Sequence, residues 1–139
     1  MTTSELLKTL TKHNCSLKAY FSKNDDQFVN EDIKAFWENL ITERNYSKSN
    51  IINKSDFSYC YFYDVINGRK MPTKDKVVRL GLAMKLSLDE CQQALKISGR
   101  SALYPRIRRD SILIYAIENK LTIFQCDELL SKYGEEGLK

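Results

Sequence analysis

The chain has a single histidine, His13, and its four cysteines form no Cys-x-x-Cys pair. Cys15, Cys60, Cys91 and Cys126 are spread along its length, whereas a structural zinc site needs clustered thiolates or imidazoles. No metal and no cofactor is therefore expected, and the cysteines read as buried thiols of a reducing cytoplasm. No Ser, Cys or carboxylate pattern surrounds His13, so no catalytic residues are expected and an enzyme is a distant third reading. No run of 18 apolar residues exists to cross a bilayer. The opening MTTSELLKTLTKHNCS lacks an apolar signal core, so the expectation is a chain that is not exported. No strand-like alternation is sustained, and no internal repeat or low-complexity tract is apparent.

The 139 residues suffice for one ordinary domain with a small appendage. Apolar residues make up 42% and charged residues 29%, the balance of a globular protein. The net charge of +4 is uneven. Residues 45–86 carry eight Lys/Arg against three Asp/Glu, while the flanking segments are close to neutral. A localised basic face is the electrostatic footprint of a polyanion partner.

Helical signals run through the chain and predict an all-α fold of seven or eight helices. SELLKTL (4–10) is the first candidate, followed by the polar linker SKNDDQFVN (22–30). Asn30 is expected to cap EDIKAFWENLITERN, where Ile33, Phe36, Trp37, Leu40 and Ile41 form one apolar stripe. Ser47 and Ser58 can each cap a short helix, about 47–55 and 58–67, with Asp56-Phe57 as the turn between them. Gly68 falls where a helix end needs a left-handed residue. A helix opens at Pro72-Thr73, and its internal Gly81 marks close helix packing. Ser87 and Glu90 form a capping box, and that helix ends at Gly99. Helices follow over 106–120 and from Thr122 to Gly134.

Two short helices about a tight turn, with a further helix behind, make a helix-turn-helix arrangement. Tyr46, Ile51 and Ile52 face inward from the first, Phe57 fills the turn, and Phe62 and Val65 anchor the second. SKSNIINKSDFS followed by FYDVINGRKMP resembles the Xre/Cro-like (lambda-repressor-like) helix-turn-helix regulators over about residues 31–98. The ending N-G-R-K-x-P is the most specific part, and DKVVRLGLAMKLSLDE matches the helix that follows in that family. The whole chain, including LYPRIRRDSILIYAI, further resembles small Xre-like proteins of Gram-positive anaerobes.

The resemblance implies an N-terminal arm (1–29), a DNA-binding domain (30–99) and a C-terminal helical extension (100–139). It makes Ser47 and Lys48 phosphate contacts and Ser58 the cap of the recognition helix. Tyr59, Cys60, Tyr63 and Asp64 would face base edges, and Arg69, Lys70 and Lys74 would lie against phosphates. The partner it implies is double-stranded DNA, bound by a cytoplasmic transcriptional regulator, such regulators often acting as homodimers. Aromatics, a thiol and an acid are unusual base readers, since paired hydrogen bonds to bases come mostly from Arg, Asn and Gln. The competing reading is therefore a protein-binding module, adaptor or antitoxin-like, that holds a protein through the Tyr59/Tyr63 face or the C-terminal helices. The run Arg106, Arg108 and Arg109 reads as a solvated helix start balanced by Asp110, or as a second contact site. The apolar residues of 111–130 read as a dimer interface or as intramolecular packing.

Overall fold

The computed structural model describes residues 29–139, with side chains from Ile33 onward. The expected helix at 4–10 and most of the linker lie outside the described residues. Seven α-helices and no strand are present among the described residues. They are α1 (Val29–Glu43), α2 (Lys48–Ser55), α3 (Tyr59–Ile66), α4 (Lys74–Ala83), α5 (Leu88–Ile97), α6 (Arg108–Glu118) and α7 (Ile123–Lys132).

The ends of these helices follow local chemistry. Ser47, Ser58, Thr73, Ser87 and Thr122 each accept a hydrogen bond from a backbone N–H of the first turn. The capping box at Ser87 and Glu90 forms, as does a second one at Thr122 and Gln125. α1 starts earlier than expected: Val29 is already helical, so Asn30 lies inside the helix and is not its cap. Gly68 adopts φ 76°, and its N–H donates to Val65 O while that of Arg69 donates to Asp64 O, closing a Schellman turn after α3.

Trp37, Ile33 and Ile41 of α1 are buried with Ile51 of α2, Phe62, Val65 and Ile66 of α3, and the apolar side of α4 and α5. Packing of α2 on α4 and of α1 on α3 and α5 carries the first half of the molecule. Tyr46 donates its hydroxyl proton to the Met84 carbonyl, and Arg44 pairs with Glu90, which ties the end of α1 to the α4–α5 turn.

The second half corrects the expectation that the chain has no internal repeat. α4–α5 and α6–α7 are matching helical hairpins, displaced by 35 residues. Lys85-Leu86-Ser87 corresponds to Lys120-Leu121-Thr122, and Cys91 to Cys126. Lys85 and Lys120 both take left-handed turns, φ 55° and 52°, and Gly99 and Gly134 both have φ 74°. Gln92 accepts from Leu103 N at 2.8 Å, and Asp127 accepts from Leu138 N at 2.8 Å. Only about half of the aligned positions keep their chemical character, which hid the repeat from inspection of the sequence alone.

The hairpins face each other in a reciprocal, two-fold manner, the intramolecular counterpart of an isologous contact. Lys74 of α4 pairs with Asp110 of α6, while Arg109 of α6 grips Asp75 of α4 through two bonds of 2.8 and 2.9 Å. Lys85 donates to the carbonyls of Lys120 and Leu121, and Lys120 donates to those of Lys85 and Leu86. Even the tails cross: Tyr104 N donates to Asp110 and Lys139 N to Asp75. Arg109 is therefore not balanced by its neighbour Asp110, because each of the two serves the opposite hairpin.

Candidate nucleic-acid interface

The candidate surface is built on α2, α3 and the loop that follows α3. Phe62, Val65 and Ile66 turn one side of α3 into the core, which forces Tyr59, Cys60, Tyr63 and Asp64 to the other. Tyr59 is 67% exposed and its ring centroid lies 4.6 Å from that of Tyr63. The hydrogen bond between their side chains, then their mutual charge interaction, raises the Tyr59 phenol above its ordinary value. Both rings thus offer apolar faces and hydroxyls. Cys60 is exposed and solitary.

Cations surround this aromatic face. Lys48, just after the Ser47 cap, sits 5.5 Å from the Tyr63 ring and pairs with Glu38 at 3.2 Å. Arg69 and Lys70 reach back to Asp64, with Nε and Nζ at 3.1 and 3.5 Å from its carboxylate oxygens. Both remain more than 60% exposed. The carboxylate on the outward face of α3 is therefore committed to two of the residues assigned to phosphate.

Lys74 stands apart from the others. Its ammonium lies 2.8 Å from Asp110, a residue only 4% exposed, so it joins the two hairpins instead of standing free on the α3 surface. Lys76 and Arg79, which sequence reasoning did not single out, extend the basic surface in its place. Lys76 Nζ sits 4.4 Å above the Tyr61 ring, where Lys70 also approaches at 5.9 Å. Burial raises the Tyr61 phenol. Arg79 donates twice to the Ser55 carbonyl at the end of α2, at 3.0 and 2.8 Å, and pairs with Asp56. A shallow hollow with Ser58, Phe57 and Tyr61 on its walls collects these groups. The signal in the sequence was the spacing of Lys76 and Arg79 on the helix that packs behind the turn.

Taken together, the surface offers exposed cations, phenol hydroxyls and a tilted pair of rings. Among the described residues no cluster of three or more His, Cys, Asp or Glu is arranged to hold a metal ion. Burial pushes the Cys91 and Cys126 thiols up to about 12, so they behave as packing groups. No described helix is long and apolar enough to cross a membrane. The chain matches no protein-family model, and no curated protein or solved structure is significantly similar to it.

Proposed function

We propose that α1–α5 form an Xre/Cro-like helix-turn-helix core and that the protein is a DNA-binding transcriptional regulator of the cytoplasm. The observation that carries this reading is the arrangement of Lys48, Arg69, Lys70 and Lys76 around the outward face of α3. An exposed helix bordered by cations suits a major groove flanked by phosphates. Phosphate contacts position such a protein, and base contacts specify the site. Here the phosphate share dominates, because Tyr59 and Tyr63 offer ring edges and hydroxyls where paired amide or guanidinium donors are usual.

The deciding experiment is a titration against random-sequence and own-promoter duplexes at two salt concentrations. Binding should weaken steeply with salt, each neutralised phosphate contributing roughly −0.9 to the log–log slope. Arg69→Glu with Lys70→Glu should weaken it on every duplex. No binding at about 50 mM salt, where phosphate-contact affinity is still high, excludes the reading.

A second reading rests on one specific observation. The exposed Tyr59 ring lies against the half-buried Tyr63, and Asp64 already partly neutralises the neighbouring cations. Aromatic side chains of this kind anchor protein partners. A protein-binding module would lose its partner on Tyr59→Ala while Arg69→Glu had little effect.

A further inference from the structure

The two-fold relation between the hairpins holds for their backbones but not for the charge around the paired lysines. Lys85 and Lys120 occupy equivalent turns, and each ammonium donates to carbonyls of the opposite hairpin. Beside Lys85, the end of α4 and the start of α7 border a hollow of about 360 Å³, with Lys54 of α2 on its rim. Leu82, Ala83, Ile123 and Phe124 make its walls largely apolar, and Phe124 is 71% exposed there. On the Lys120 side, the counterparts of Ala83 and Phe124 are Glu118 and Asp89. Two carboxylates on one side thus correspond to a methyl group and a phenyl ring on the other. Among the described residues, no carboxylate lies within ion-pairing distance of Lys54 or Lys85.

From this placement we infer that the hollow binds a small organic acid, its carboxylate between Lys54 and Lys85 and its apolar body on Leu82 and Phe124. The volume falls at the lower end of the roughly 300–1,000 Å³ of ligand pockets, which are mostly apolar with a few placed polar groups. The electrostatics select an anion. Burial, then the charges of Lys54 and Lys120, lower the Lys85 ammonium below its ordinary 10.5, so a negative charge placed there restores what burial and crowding take away. α7 begins at the hollow, and the positive end of its dipole adds to the lysines. The ligand's carboxylate stands where the Lys120 side keeps acids of its own. The apolar walls select against a bare inorganic ion, because covering Phe124 and Leu82 stabilises a complex through the hydrocarbon that it buries. Residues of α2, α4 and α7 all contribute, so the occupant ties the two hairpins and α2 together. The hollow shares no residue with the outward face of α3, and the inference does not depend on what that face binds.

Titration of the full chain with octanoate, followed by amide NMR, tests it. Saturable shifts at Lys85, Ile123 and Phe124 are expected with a Kd below about 1 mM, within reach of a ligand of this size. Octanol lacks the charge and acetate lacks the hydrocarbon, so each should bind at least about tenfold more weakly. Phe124→Asp places in the chain the carboxylate that the ligand would bring, and should weaken octanoate binding at least about tenfold. The exposed position of Phe124 in the first turn of α7, where an acid suits the helix dipole, keeps helical circular dichroism unchanged in that variant. Phe124→Leu keeps a hydrocarbon wall and should stay within about threefold of the wild type. Lys54→Gln should weaken binding about threefold, the scale of a partly exposed ion pair. Absence of shifts at about 5 mM octanoate, well above the expected Kd, overturns the inference. Equal affinity for octanol reduces the hollow to an apolar patch, and equal affinity for acetate reduces it to general attraction of anions; either result overturns it. Undiminished octanoate binding by a folded Phe124→Asp variant overturns it equally.

Discussion

Lys74 Nζ and Asp110 Oδ2 meet at 2.8 Å across the two hairpins, and the same carboxylate oxygen accepts the Tyr104 N–H at 3.0 Å. Asp110 is almost wholly buried, so removing its partner strands a charge in a low-dielectric environment. Lys74→Met should therefore destabilise the fold by about 2–4 kcal/mol, and Asp110→Ala by a similar amount. Lys74→Met with Asp110→Leu should recover most of that loss, because an apolar pair removes the desolvation cost of both ions. Urea unfolding of the two single variants and the double variant measures the coupling. Lys74→Met should leave the salt slope of DNA binding nearly unchanged, unlike substitutions at Arg69 or Lys70.

The neighbouring pair sets a pH dependence. Burial pushes the Asp75 carboxyl up, but the hydrogen bonds from Arg109 and from the Lys139 N–H, with the positive charge beside them, hold it below its ordinary 3.8. Glu90 behaves alike: burial raises it, while bonds from Ser87 and the Arg44 guanidinium bring it below 4.5. A carboxyl depressed in the folded state stabilises the fold above its unfolded pKa, and that contribution is lost as pH falls through the folded one. Unfolding free energy should stay level above about pH 5 and decline below about pH 4. Asp75→Asn should lower the plateau and flatten the decline. An Asp75→Asn curve as steep as that of the wild type would contradict this assignment.

Gly81 supplies a third prediction. A Cβ built there would lie 2.4 Å from Cys91 Sγ, far inside contact distance. Alanine gains about 1 kcal/mol of helix propensity over glycine in an open helix, but here it must push a fully buried thiol out of a filled core. Gly81→Ala should cost about 1–3 kcal/mol, the range for overpacking. Gly81→Ala with Cys91→Ala should recover most of it, since the colliding sulfur is gone. Thermal unfolding of the two variants distinguishes this collision from a general intolerance of α4 to substitution.

Much of the helical layout could be read from the sequence because it is written locally. Ser58, Thr73, Ser87 and Thr122 announce helix starts, and Gly68, Gly99 and Gly134 announce ends, through the chemistry of a single turn. The apolar stripe of α1 and the anchors Phe62 and Val65 follow from helical periodicity. The pairings of charge could not be read in this way. Arg109 lies beside Asp110 in sequence, yet successive residues on a helix point about 100° apart, and each finds its partner on α4. The repeat stayed hidden because divergence is concentrated on one face. Leu80, Met84 and Ser98 are buried, whereas Tyr115, Asn119 and Tyr133 are exposed. On the candidate surface, the choice of Lys48, Arg69 and Lys70 came from the resemblance to helix-turn-helix regulators. The commitment of Lys74 to Asp110 and the presence of Lys76 over Tyr61 required three dimensions.

Asp64 offers the sharpest test of the α3 surface. Its carboxylate holds Arg69 and Lys70 by solvent-exposed contacts, each worth less than about 1 kcal/mol. It also places a negative charge where a regulator would meet phosphates. Asp64→Asn keeps the size and the backbone acceptor that closes the Schellman turn, so the fold should change by no more than about 0.5 kcal/mol. The variant frees two cations and removes one repulsion. Affinity for random-sequence duplex should therefore rise by roughly three- to tenfold, and the log–log salt slope should steepen by up to about one. Asp64→Lys should carry both trends further. If Asp64→Asn weakens binding on one promoter while strengthening it on random sequence, the carboxylate is accepting a hydrogen bond from a base, with the cytosine amine the donor that fits. If neither variant changes duplex affinity, the outward face of α3 is not where the nucleic acid lies, and the exposed Tyr59 with its neighbour Tyr63 is left to a protein partner.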